Sequence, residues 1–186
     1  MERAGNVWSV FFKGIAIRAQ FLHYPPFKIL SMSASLTARL EITSPAFKNG
    51  SQIPMKYTCD GEAVNPPLAI AEIPQGTQSL ALIVEDPDAP RGTYDHWLVW
   101  NISPASVIVE NSNPGISGNN SGEMTGYHAP CPPEGSHRYR FHVFALNTDL
   151  DLEAGSKKAQ MKKAMKGHIL AKGTLLGMYE REISDK

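Results

Sequence analysis

The residue pattern predicts a mainly β protein, an antiparallel β-sandwich with one helix late in the chain. Three observations carry that expectation. Short alternating runs separated by Pro, Gly, Asn and Asp recur from Thr37 to Leu146, the spacing of strands and turns. The run Leu80-Ala81-Leu82-Ile83-Val84 is apolar at odd and even positions alike, as a central strand buried on both faces requires. Past Leu152 the periodicity turns helical, with Met161, Ala164, Met165, His168 and Ile169 on one stripe.

Length and charge narrow the class. The 186 residues suffice for one domain with a sizeable core. Lysine and arginine total 18, as do aspartate and glutamate, so no global charge recruits nucleic acid or a membrane surface, and any anion affinity is local. Two cysteines, Cys59 and Cys131, are too few for a disulfide framework. A bridge between them is neither shown nor excluded by the sequence, and a reduced, cytoplasmic protein is the simpler expectation. The triplets at Asn49, Asn101 and Asn119 match the glycosylation pattern, but without a secretion signal they read as chance matches.

Residues 1–34 stand apart as an N-terminal extension to a domain spanning 35–186. No acid occurs between Glu2 and Glu41, while Arg3, Lys13, Arg18 and Lys28 interrupt the apolar runs. These runs are far too short for a membrane helix. Two readings fit: an organelle-targeting composition, or a start at Met32 with a disordered or spurious extension before it. The second is favoured, because composition alone is weak warrant for targeting.

Within the domain, Leu40-Glu41-Ile42 alternates. Pro45, Asn49-Gly50, Pro54, Asp60-Gly61 and Pro74-Gln75-Gly76-Thr77 then punctuate the chain before the apolar run. Asp95 to Ile102 forms a second strong strand, with His96, Leu98 and Trp100 on one face and Trp97 and Val99 on the other. Residues 111–136 lack periodicity, and a loop that long is usually functional or disordered. Arg138 to Leu146 is a third strand whose face carries His137, Tyr139, Phe141 and Val143. The helix starts near Gly155 or Ser156, a boundary left open because Lys157 and Lys158 oppose the dipole there. Thr174 to Arg181 closes as a strand.

The chemistry gathers at strand ends. Pro87 and Pro90 bias Asp86 and Ala89 to extended conformations, so Asp86 and Asp88 sit in a frame with little entropy left to lose on binding. His96, His137 and Tyr139 add ring donors, and Pro130-Cys131-Pro132-Pro133 forms a second stiff wall. Imidazole and phenol suit an oxyanion, while aspartate accepts from a hydroxyl, an ammonium group or a protonated phosphate oxygen. The set points to a phosphorylated or zwitterionic small ligand. Taken singly, Asp-Pro turns end many strands and a His-Tyr face is ordinary packing. His142 and His168 read as structural, and Cys131 as an inert thiol denied a helix N-terminus by its flanking prolines. Six lysines from Lys157 to Lys172 read as a solvated helix face.

Tyr57-Thr58-Cys59-Asp60-Gly61 with Pro66-Pro67-Leu68, then Asp86-Pro87-Asp88-Ala89-Pro90, His96-Trp97, Pro130-Cys131-Pro132-Pro133 and His137-Arg138-Tyr139 resemble the phosphatidylethanolamine-binding protein family. More closely they look like its bacterial and archaeal branch, the Raf kinase inhibitor-like proteins, and the order and spacing agree over residues 36–183. The resemblance implies an antiparallel Greek-key β-sandwich with a helix packed at one side and a small anion pocket at one end. By motif, Asp86, His96, His137 and Tyr139 would line that pocket, with Asp88, Pro130, Cys131 and Pro132 at its edge. Two departures bear on its shape. Asn119-Asn120-Ser121-Gly122 stands where the family commonly has Asn-Asp-Phe-Gly, and Ala129 where it prefers glycine, with His128 beside it as a third imidazole for the rim.

The expected function is therefore a non-catalytic binding and regulatory protein for phosphate-type or phosphorylethanolamine-like groups, with a kinase as one partner the resemblance allows. Two rivals are an acid-base or metal-dependent hydrolase using Asp86, His96 and His137, and a protein-level protease inhibitor. No phosphate loop, dinucleotide fingerprint, nucleophile elbow or zinc-protease motif occurs. Neither cofactor nor metal is expected, nor nucleic acid or integral membrane association. The bacterial branch also suggests a homodimer.

Overall fold

The computed structural model describes residues 38–105 and 107–181. The expected extension over 1–34 lies outside the described residues. In chain order the elements are β1 (Ala38–Arg39), β2 (Glu41–Thr43), β3 (Ser51–Gln52), a 3-10 turn at Met55–Tyr57, β4 (Leu68–Ala71), β5 (Ser79–Asp86), β6 (Tyr94–Ile102), β7 (Val107–Ile108), β8 (Ile116–Ser117), β9 (Ser136–Leu146), α1 (Lys158–Met165) and β10 (Ile169–Glu180). Seven strands form one sheet in the order β1-β10-β9-β5-β6-β8, with β3 also on β10, and β2-β4-β7 form a second.

The molecule is mainly β with one helix, but its large sheet is mixed rather than purely antiparallel. β1 and β3 both run parallel to β10, against Ala171–Lys172 and Gly177–Met178. The reason is the length of β10, 12 residues, which leaves room for two short strands along one edge. Between them the chain crosses to the second sheet as β2 and returns in the same direction.

β5 lies between β6 and β9, and each of its faces is buried against different neighbours. Leu80, Leu82 and Val84 join Trp97, Val99, Phe141 and Val143, together with Ile42, Leu68, Ile70 and Ile108 of the small sheet. Ala81 and Ile83 face Leu98, Trp100, Met161 and Met165. The layers are thus small sheet, large sheet, helix, and the doubly apolar pattern of β5 follows from its central place.

The helix ends sooner than its stripe suggested. Met161 and Met165 are buried on it, but Ile169 already belongs to β10. The exposed turn residue His168 meets the Asn147 side chain at 2.9 Å. At its start, the Gln160 side chain accepts from the Lys157 N–H at 2.9 Å, while Lys158 is held by Glu85 at 3.0 Å and by Asp95. These ion pairs offset the unfavourable cation at the dipole's positive end.

The expectation of reduced thiols is overturned. Cys59 and Cys131, 72 residues apart in sequence, form a disulfide with 5.4 Å between their Cα atoms. The Cys59 N–H also donates to the Pro130 carbonyl at 3.0 Å, so the loop after the 3-10 turn is fastened to the proline wall twice.

Candidate functional site

One irregularity in β6 decides what the site contains. Val84 pairs with Trp97, yet the next residue, Glu85, pairs with Asp95, leaving His96 as an extra residue in the ladder. Such a β-bulge re-aims a side chain by breaking the two-residue alternation. Asp95 consequently points with Glu85 toward Lys158 of the helix. His96 turns instead to the opposite face, 5.2 Å between ring centroids from Tyr139. The face count placing His96 with Leu98 and Trp100 is corrected by this bulge. The loop then closes on it reciprocally: His128 N–H donates to the His96 carbonyl at 3.0 Å, and His96 Nδ1 donates to the His128 carbonyl at 2.7 Å.

The result is a cavity of about 180 Å³ at the ends of β5, β6 and β9, lined by Asp86, Ala89, Pro90, Tyr94, His96, His128, Ala129, Cys131, Pro132, Pro133, His137 and Tyr139. Of the residues singled out from sequence, Asp86, His96, His137, Tyr139, Cys131 and Pro132 meet here. Asp88 and Pro130 do not. Asp88 turns outward, where its Oδ1 accepts from the Arg138 guanidinium at 2.6 Å and its Oδ2 from Arg138 Nε and N–H at 2.8 and 2.9 Å. That guanidinium holds the Asp88 carboxyl down to about 2. Sequence reasoning misses Tyr94, which packs on His96 and His128 at centroid distances of 4.8 and 5.6 Å. Its position two residues before His96 is the one available signal. Ala129 stands in the wall, nearly buried, and is not among the residues with positive φ, so alanine fits where a left-handed turn would have demanded glycine.

The polar groups are arranged unequally. Asp86 is committed to the protein: its Oδ2 accepts from His137 Nδ1 at 2.7 Å and its Oδ1 from the Asp88 N–H at 2.8 Å. Burial, working against the hydrogen bond to His128, pushes the His96 pKa down to about 4. Tyr139 is fully buried, and its hydroxyl has no hydrogen-bond partner of ordinary geometry among the described residues, although the Cys131 backbone lies near enough to act on it. Burial first, then the Asp86 charge, raises its pKa, so the phenol keeps its proton. A buried hydroxyl without a partner costs about 1–3 kcal/mol; of the three such side-chain atoms among the described residues, the others being the indole nitrogens of Trp97 and Trp100, it is the one that lines this cavity.

Size does not pick out this site. A wider depression of about 660 Å³ lies on the helix side, but there His142 already meets Thr174 at 2.8 Å and Glu85 at 3.4 Å. Among the described residues no group of three or more His, Cys, Asp or Glu side chains is placed to hold a metal ion. No helix among them is long and apolar enough to cross a membrane.

The profile of the family described as "Phosphatidylethanolamine-binding protein" matches residues 43–180. A UPF0098 protein of Methanothermobacter thermautotrophicus is 42% identical over 150 residues, covering 76% of this chain and 99% of the relative. A UPF0098 protein of Chlamydia muridarum is 44% identical over 153 residues, covering 77% and 100%. Among solved structures, a homologue of the phosphatidylethanolamine-binding protein from Chlamydia trachomatis superposes with a TM-score of 0.75 at 42% identity, covering 77% of this chain and 99% of that one. An E. coli protein titled a new member of the mammalian family superposes with a TM-score of 0.72 at 27% identity, covering 78% and 100%.

Proposed function

The chain belongs to the phosphatidylethanolamine-binding protein family, and from that premise we propose that it is a non-catalytic binding protein whose cavity takes a phosphate-type or phosphorylethanolamine-like group. The observation that carries this reading is the orphaned Tyr139 hydroxyl, buried in a cavity that also holds the His96 and His137 rings. A cavity of about 180 Å³ is smaller than the ~300–1,000 Å³ of drug-sized pockets, which suits a small phosphate monoester such as phosphorylethanolamine and not a whole lipid. Catalysis finds less support. Cys131 is bonded to Cys59, and the Asp88 carboxylate is held by Arg138 outside the cavity.

An NMR titration with phosphate and phosphorylethanolamine tests the reading, run on the wild type, His96→Ala and His137→Ala. Shifts gathered around residues 86, 96, 137 and 139, and weakened by either substitution, support it. Shifts elsewhere, or unchanged in both variants, refute it. Phosphorus NMR of the same samples addresses the rival hydrolase, which the Asp86–His137 pair at 2.7 Å would serve as an oriented base; release of inorganic phosphate from phosphorylethanolamine would favour that rival.

The roles at the level of partners, regulation of a kinase or inhibition of a protease, rest on the family resemblance, as does the homodimer, for which sizing with light scattering is the check. For the compartment, disulfides persist in oxidising surroundings and in the cytosol of hyperthermophiles. The cytoplasmic placement therefore holds only under the second condition. Alkylation of cell lysate followed by mass spectrometry of the Cys59 and Cys131 peptides decides whether the bridge exists in cells.

A further inference from the structure

We propose that the cavity selects oxyanions that carry a proton, with His96 Nε2 as the acceptor that demands it. The inference rests on the anion-binding reading above and adds to it a rule of ligand choice.

A peptide carbonyl can only accept a hydrogen bond, so the contact between His96 Nδ1 and the His128 carbonyl at 2.7 Å puts the proton on Nδ1. The neutral ring must then carry a lone pair on Nε2, and Nε2 makes no hydrogen bond to any described residue. Asp86, which the sequence suggested as acceptor for a ligand proton, already accepts one hydrogen bond at each oxygen, from His137 Nδ1 and from the Asp88 N–H, though each oxygen keeps a second lone pair. His96 Nε2, unlike these oxygens, has no protein donor on it among the described residues. Tyr139 supplies the complementary group, a buried hydroxyl free to donate to a ligand oxygen.

A phosphate monoester monoanion satisfies both, its P–OH donating to His96 Nε2 while an unprotonated oxygen accepts from Tyr139. Sulfate and phosphodiesters have acceptors alone near neutral pH, and either would set an oxygen lone pair against that of Nε2. Sites that hydrogen-bond a ligand hydroxyl reject analogues lacking it far more strongly than apolar pockets reject a missing methylene. The proton belongs on the ligand, because the ring's own proton already sits on Nδ1 facing the His128 carbonyl and burial disfavours a second one on Nε2. The groups around His96 are Asp86 from β5, Tyr94 from its own strand, His128 from the loop, and His137 and Tyr139 from β9. A second imidazole, that of His137, lines the same cavity, so pH dependence alone does not isolate the effect, whereas comparison of ligands does.

Isothermal titration calorimetry of the full chain at pH 6 with methyl phosphate, dimethyl phosphate and sulfate is the test. The expected result is binding of methyl phosphate with the other two at least about tenfold weaker. His96→Gln, whose amide can donate as well as accept, should bring sulfate to within about threefold of methyl phosphate. Equal affinities for sulfate and methyl phosphate in the wild type would overturn proton selection and leave the anion-binding reading standing. Binding of none of the three would remove both. Long-range proton–nitrogen NMR of the His96 ring is an independent measurement that needs no variant: Nε2 should be unprotonated in the free and the methyl phosphate-bound protein, and a protonated Nε2 in the complex refutes the proposal.

Discussion

β5 and β9 carry two histidine–carboxylate pairs, one on each face of the same sheet. Asp86 and His137 meet at 2.7 Å on the side of the small sheet. Glu85 and His142 meet at 3.4 Å on the side of the helix. In the second pair every group finds company: His142 also meets Thr174, and Glu85 shares Lys158 with Asp95. Around the first, the Tyr139 hydroxyl and the outer nitrogen of His96 have no partner among the described residues. The same residue types thus fasten a helix on one face and leave an unfilled hydrogen-bond set on the other. What distinguishes a binding site from a structural cluster is what remains unsatisfied.

The disulfide bears on one face only, since Cys131 lines the cavity and the bridge is remote from the Glu85 cluster. Freeing a loop closed across 72 residues should lower stability by about 4 kcal/mol in the chain-entropy model. Chemical denaturation of Cys59→Ser with Cys131→Ser against the oxidised wild type measures it. Weaker methyl phosphate binding should accompany the loss, while NMR shifts at His142 and Thr174 should stay put.

Acid should act next, on the cavity side through His96 and on the helix side through His142, since burial lowers the pKa of both. The folded His96 pKa, about 4, lies below its ordinary value of 6.5. The unfolded chain therefore binds the proton more readily, and stability present above pH 6.5 is lost as pH falls toward 4. A shift of that size corresponds to roughly 3 kcal/mol. Denaturation midpoints between pH 7 and 4 should show that decline, and His96→Gln should make it shallower, leaving the share of His142.

Lys158→Met probes the other face. It leaves Glu85 and Asp95 facing each other half-buried, at a cost of about 2 kcal/mol, less than for a fully buried pair because the cluster keeps some water. Methyl phosphate affinity should not change. A drop of more than about threefold would show that the two faces are coupled. Tyr139→Phe is the sharpest of the four despite its small energetic effect. Removing an unpartnered hydroxyl should keep stability within about 1 kcal/mol of the wild type, yet weaken methyl phosphate binding about tenfold by calorimetry. A marked loss of stability would instead mean that the hydroxyl is satisfied in the free protein.

Much of this is legible in the chain. The doubly apolar run becomes the central strand because alternation reports burial directly, and the shared face of His137, Tyr139, Phe141 and Val143 follows from the same rule in β9. Asp86 inherits the parity of Leu82 and Val84 and so turns inward. Asp88 lies past the turn and answers to Arg138, a partner 50 residues away that no local pattern announces. The parallel pairings of β1 and β3, and the Cys59–Cys131 bridge, likewise depend on where distant segments meet. His96 escapes for another reason. Its segment is a strand, as the pattern predicts, but a bulge leaves no mark in alternation until the partner strand is known.

That bulge has an evolutionary side. Deleting Asp95 would restore regular pairing at this point of the ladder, setting Glu85 against His96 and keeping Trp97 opposite Val84 as now. The core beyond Trp97 would retain its register, while His96 would swing to the helix face and leave the cavity without its acceptor. Lineages could thus gain or lose the site by an insertion or deletion of one codon, with every site residue still present in the alignment. A column-by-column comparison of relatives would score such a protein as intact. The length of the segment from Tyr94 to Trp97 is the character to compare.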